Sequence, residues 1–238
     1  TKALACVTNN KLKNYLPANC IKIISENILL TTAKISMLFY PSSIVDYFNS
    51  NLKASDEIFS KNQKINFGKN VLIGKNVSIG NQTFIGHNSI IDDNVKIGSS
   101  CSIGSNVIIR NSVIKNNVHI LDGCIIGKKG FGFIPEKNSN FRYPHLGYIL
   151  ISDNCEIGAG CTFDRGSLSN TIIGKNTFFD NQVHLAHNVK IGNNCIIAGQ
   201  VGIAGSAVIG NNVLIGGQAG ISGHLKIGNN VQIGGGSG

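Results

Sequence analysis

With 238 residues the chain is long enough for one or two domains with a sizeable core. Only 14% of it is charged, yet Lys and Arg outnumber Asp and Glu by 21 to 12, a net +9 that favours an acidic partner. The lysines are scattered one per repeat rather than clustered, which argues against a nucleic-acid groove, and no run of 18 apolar residues or signal-peptide pattern argues for a membrane span or secretion.

Residues 1–60 do not repeat. "ALACVT" and "CIKII" read as short strands, and "ENILLTTAKISMLFY" has helical apolar spacing with Asn27 as its cap. These residues are expected to form part of a small α/β domain joined through "NSNLKASDE" to a second domain over 61–238.

That second part is periodic. Ile73, Ile79, Ile85, Ile91, Ile97, Ile103 and Ile109 recur every six residues before a slip of one near Ile114, and the period resumes unbroken from Ile173 to Ile233. Gly usually follows the aliphatic, and Val or a small residue sits four places after it. A helix needs a period near 3.6 and a plain strand a period of 2. Six fits a short strand plus a tight turn, with Gly or Asn supplying positive φ. Three such sides close a coil of 18 residues, and coils stack by parallel pairing at about 4.8 Å. The expected fold is an all-β left-handed parallel β-helix of hexapeptide repeats, with a partial N-terminal α/β domain.

Two segments interrupt the period. "KKGFGFIPEKNSNFRYPHLGY" (128–148, within an excursion over 128–150) is too long for a corner, and "DRGSLSN" (164–170) reads as a two-residue insertion. The seven cysteines form no C-x-x-C pair. Cys101, Cys124, Cys155, Cys161 and Cys195 take repeat positions held elsewhere by Val, Thr, Ser or Ala, so they read as buried small hydrophobes in a reducing cytoplasm.

Chemistry is sparse in such repeats. His187 lies two residues after Leu185 and His224 three after Ile221, both at turn positions, two coils plus one residue apart. That puts them on one edge, roughly 10 Å apart by strand spacing, too far for two ligands of one metal. Asp180 falls on the preceding corner, far from His187 within one subunit, a place from which a neighbouring subunit could bring the two together. Gly205 lies one coil beyond His187, where its N–H is placed to stabilise an oxyanion. Spacing alone leaves an inert turn histidine as an equal reading, and for Gly205 it favours a plain turn glycine.

"FGF", "DRG", "DNQVHLAHNVKIG", "AGQVGIAGS" and "GGQAGISGHLKIG" together resemble the UDP-3-O-(3-hydroxyacyl)glucosamine N-acyltransferases of lipid A synthesis. The resemblance implies a cytoplasmic homotrimer that moves a 3-hydroxyacyl group from acyl carrier protein to the 2-amino group of a UDP-glucosamine acceptor. It implies His187 as general base and Gly205 as oxyanion donor. It also implies Asp180, Asn181, His224 and Gly223 as substrate contacts, the last toward the pantetheine arm. No metal and no cofactor of the enzyme's own are implied, since phosphopantetheine arrives on the carrier. His184 is expected to pack beside the base, while His87, His119 and His145 are expected to be inert surface residues. Two departures stand out. The uracil-clamping aromatic pair near an Asn-Pro motif is missing, and the chain starts without Met and stops in mid-repeat, as a fragment would.

Three other readings stay open: a UDP-N-acetylglucosamine O-acyltransferase or other hexapeptide acyltransferase, a zinc hydratase of the γ-carbonic anhydrase type, and a non-enzymatic solenoid. The first lacks the "DRG" corner and the α/β domain, the second needs three converging imidazoles, and the third makes His187→Ala silent.

Overall fold

The structure is a computed structural model and describes residues 3–45, 48–59 and 64–238. It divides into two compact units, Thr1–Asp46 with Gly132–Pro144, and Tyr47–Phe131 with His145–Gly238. The domain boundary expected at 60/61 lies outside the described residues. The segment just before it joins the repeats instead of closing the N-terminal unit: Lys53–Ala54 pairs antiparallel with Leu72–Ile73, and the Ser55 N–H donates to the Val71 carbonyl.

In the first unit, Ala5–Thr8 and Ile21–Ile24 pair in parallel. The helix Ile28–Phe39 follows, and Asn27 caps it by accepting from the Leu30 N–H at 3.0 Å. The excursion contributes an antiparallel hairpin, Phe133–Glu136 with Ser139–Arg142, across which the Arg142 guanidinium sits 5.2 Å from the Phe133 ring centre.

The second unit is the left-handed parallel β-helix. Its strands fall into three sheets of nine, nine and eight strands among the described residues. The registers Leu185↔Ile203↔Ile221 and Ile197↔Ile215 are steps of one 18-residue coil. The periodic aliphatics point inward and most are almost wholly buried, with Ile79, Ile227 and Ile233 partly so, stacked coil on coil with Val71, Val95, Val107 and the repeat cysteines in one continuous core. Each such aliphatic adds about 1.5–3 kcal/mol by burial. The five repeat cysteines are buried and free as expected. Burial pushes the thiols of Cys101 and Cys195 up, and that of Cys155 to about 11, so these three stay protonated near neutrality.

Two details differ from the sequence reading. The positive φ of the corners is carried mainly by Asn, Gln and Ser three places after the aliphatic, such as Asn194 at 58° and Ser206 at 63°. The glycine directly after the aliphatic serves instead to let coils approach. At Gly158, a Cβ would fall 2.6 Å from the Asn181 nitrogen of the next coil. Second, the "DRGSLSN" corner adds four residues, not two. Phe163 pairs with Leu185, 22 positions on, because the chain bends outward after Asp164 before the next inward residue, Ile173, is reached.

Candidate active site

Strands His184–Leu185, Gly202–Ile203 and Gly220–Ile221 lie side by side in one sheet. Their inward residues fill the core, so His184, Gly202 and Gly220 face out. A Cβ on Gly202 or Gly220 would touch nothing within 4 Å. Packing does not require glycine there; its effect is to clear the surface. The result is a cavity of about 640 Å³ whose lining includes Phe131, His184, His187, Gly202, Gly205 and Gly220.

His187 stands at the corner beyond this sheet. Its Nδ1 lies 2.9 Å from Asn188 Oδ1. An amide oxygen only accepts, so Nδ1 carries the ring proton and Nε2 keeps a lone pair. That edge of the ring lies over Gly205, where a Cβ would come within 2.9 Å of both Cε1 and Nε2. The Gly205 carbonyl accepts from the His224 N–H at 3.1 Å, and its own N–H donates to no group among the described residues. Gly223 follows one coil further on, its Cβ position 3.1 Å from the Gly205 oxygen. Four of the expected residues (His187, Gly205, Gly223 and His224) thus stack on one corner. His224 is there as a left-handed turn residue, φ 61°, and neither it nor Gly223 lines the cavity.

Asp180 and Asn181 lie on the preceding corner, away from His187, as their spacing requires. Asp180 is exposed and accepts from the Asn181 N–H at 2.7 Å. Asn181 turns its oxygen to the Ala159 N–H of the previous coil, 2.7 Å away, which ties that side chain to the scaffold.

The sequence reading missed two groups. His145 was expected to be inert and at the surface; it is 1% exposed, with its ring edge-on to His187 at 5.0 Å and 67°. A Cβ on Gly130 would strike both side chains, at 2.8 Å from His145 Nε2 and 2.9 Å from His187 Cβ. No spacing rule reveals this, because the chain returning from the excursion makes the contact. The other group surrounds Asp164 of the "DRG" corner. This buried carboxylate meets Lys128 Nζ at 2.7 Å, and His184 Nε2 lies 3.9 Å away. Burial pushes the Asp164 carboxyl above its usual range, and Lys128 offsets part of that rise. His184 Nδ1 is held by Thr162, 2.8 Å from its hydroxyl and 3.1 Å from its carbonyl. His184 is therefore a wall of the cavity as well as a packing residue.

Comparison with known proteins supports the hexapeptide-repeat fold. Residues 76–111 and 170–205 match the bacterial transferase hexapeptide model of six repeats. The UDP-3-O-acylglucosamine N-acyltransferase of Bradyrhizobium diazoefficiens is 51% identical over 77 residues, 31% of this chain and 21% of that protein. UDP-3-O-acylglucosamine N-acyltransferase 2 of Legionella pneumophila is 45% identical over 84 residues, 35% of this chain and 24% of that protein. The matched regions span less than a quarter of these relatives' length. Among solved structures, a UDP-N-acetylglucosamine acyltransferase superposes with a TM-score of 0.52 at 26% identity, covering 76% of this chain and 64% of the other. The UDP-N-acetylglucosamine acyltransferase of Campylobacter jejuni gives 0.53 at 22%, over 72% of this chain and 64% of the other, a likeness of fold. The chain thus carries bacterial transferase hexapeptide repeats, and over 75–84 residues it is similar to UDP-3-O-acylglucosamine N-acyltransferases.

Proposed function

We propose that the chain is an N-acyltransferase that moves a 3-hydroxyacyl group from acyl carrier protein to the 2-amino group of UDP-3-O-(3-hydroxyacyl)glucosamine. The observation that carries this reading is the bare Nε2 of His187, which faces the open backbone of Gly205 at the rim of a groove cleared by Gly202 and Gly220. Nε2 takes a proton from the acceptor amine as the amine nitrogen attacks the thioester carbon. The carbonyl oxygen gains negative charge and is met by the Gly205 N–H. Collapse of this intermediate forms the amide and expels the carrier thiolate, which takes up the proton. No cofactor is held by the chain itself; the phosphopantetheine enters on the carrier protein.

The same reading assigns Asp180, Asn181, His224 and Gly223 to the substrates and the N-terminal unit to the uridine nucleotide. It makes the working form a cytoplasmic homotrimer. Support for association comes from an apolar row on consecutive strands of one sheet, Phe178, Ile196 and Leu214, which are 39%, 53% and 38% exposed. The net +9 suits an acidic carrier. The test is an acyl-transfer assay with acyl carrier protein thioester and the 3-O-acylated acceptor. His187→Ala is expected to lower kcat by about 10²–10⁴-fold, the range of a general base. Transfer by the variant at the wild-type rate would overturn the reading.

A further inference from the structure

The four residues added at the "DRGSLSN" corner are not needed to close a coil, and they end beside the candidate base. Resting on the acyl-transfer reading, we propose that this corner positions His187: Ser167 and Ser169 hold the Asn188 side chain from both ends, and Asn188 in turn dictates which ring nitrogen is free.

The argument runs through hydrogen-bond polarity. Asn188 sits in the left-handed region, φ 63°, with its N–H donating to the buried Thr171 hydroxyl at 2.9 Å. Its Oδ1 accepts from the Ser167 N–H at 3.1 Å and lies 2.7 Å from the Ser167 hydroxyl and 2.9 Å from His187 Nδ1. Its Nδ2 donates to the Ser169 hydroxyl at 2.6 Å. A side-chain amide can be turned over, but a backbone N–H cannot become an acceptor. The Ser167 N–H therefore requires the Asn188 oxygen on its side; the reverse orientation sets two donors face to face. That oxygen is the atom His187 Nδ1 meets, so Nδ1 must hold the proton and Nε2 is left to accept one.

The corner is itself fixed. The Leu146 and Gly147 N–H groups both donate to the Ser167 carbonyl, at 2.8 and 2.7 Å, and the Tyr148 N–H donates to Asn170 Oδ1 at 3.2 Å. A Cβ on Gly147 or Gly166 would collide with the Ser169 carbonyl, which accounts for the glycine of "DRG". The titratable groups around the ring are His145, His184 and the Lys128–Asp164 pair. None of them meets Nδ1, whose partner is the Asn188 amide oxygen.

The test reads the ring directly, by two-bond proton–nitrogen correlation of ¹⁵N-labelled protein at alkaline pH. The wild type should show a bare Nε2 and a protonated Nδ1, and Asn188→Asp, which keeps an oxygen at the same place, should preserve that pattern. Asn188→Leu should divide the ring between both protonated forms and lower kcat by about 10²-fold with KM little changed. Ser167→Ala/Ser169→Ala removes only two hydroxyls, so it keeps the test open if the leucine variant does not fold. It should show a fraction of the other form and a kcat loss of roughly tenfold. A wild-type ring with a bare Nδ1, or both variants keeping the native form, would overturn the proposal. If wild-type protein transfers no acyl group, the acyl-transfer reading fails, and the ring spectra still decide the corner's role.

Discussion

Single atoms decide this site. Gly205 has a defined reason to be glycine: a methyl there would sit 2.9 Å from Cε1 and Nε2 of His187, so the ring has to move. Gly205→Ala is expected to lower kcat by about 10²-fold, as a displacement near 1 Å does, while the thermal midpoint stays within a few degrees; steady-state kinetics and a melting curve check both parts. Asp164 gives a pH signature of opposite sense to an exposed ion pair. Its folded-state carboxyl is raised above the usual 3.8, so the folded state binds the proton more tightly than the unfolded state. Stability therefore declines as pH rises from about 3.8 to the raised value, and Asp164→Asn should lack that decline. Urea midpoints of the two proteins across this interval measure it. If they run parallel, the burial penalty on Asp164 is absent.

At the scale of the element, the coil was legible in the sequence because a period of six is a packing statement: one inward aliphatic, one corner, no other element with that spacing. The helix after Asn27 was legible for the same kind of reason. What escaped was contact made by segments that break the period. His145 looks like any loop histidine until the returning chain lays it against His187. The four-residue size of the corner was hidden because Phe163 and Ile173 are both plausible inward residues, and only pairing across coils tells how much chain lies outside. The two hexads around that corner lean on one aromatic contact, Phe163 on Phe179 with centroids 5.0 Å apart. Phe163→Ala empties a fully buried site and should cost about 3–5 kcal/mol, read from denaturant unfolding. A loss below 1 kcal/mol would mean the corner is braced by its hydrogen bonds alone.

For the whole molecule, the expected site residues split between two corners, the catalytic pair His187 and Gly205 on one and the substrate contacts Asp180 and Asn181 on the other. A trimer that pairs unlike corners joins them. Two outcomes follow. Sedimentation should give a trimer, with Ile196→Glu dissociating it while the far-UV spectrum is retained. Asp180→Ala and His187→Ala chains, each nearly inactive, should recover activity when refolded together, because some interfaces then carry both native corners. Absence of recovery would place each working site within one chain.

From Ile173 onward the coil step is a constant 18 residues, which gives this part of the molecule a built-in ruler. His187, Gly205 and Gly223 follow one another one coil apart, so every separation along that corner is a whole number of strand spacings, about 4.8 Å each. A coil gained or lost between two such residues would keep their bearing and change only their distance. Reach along the groove can thus be altered in discrete increments without redesigning the residues that face it.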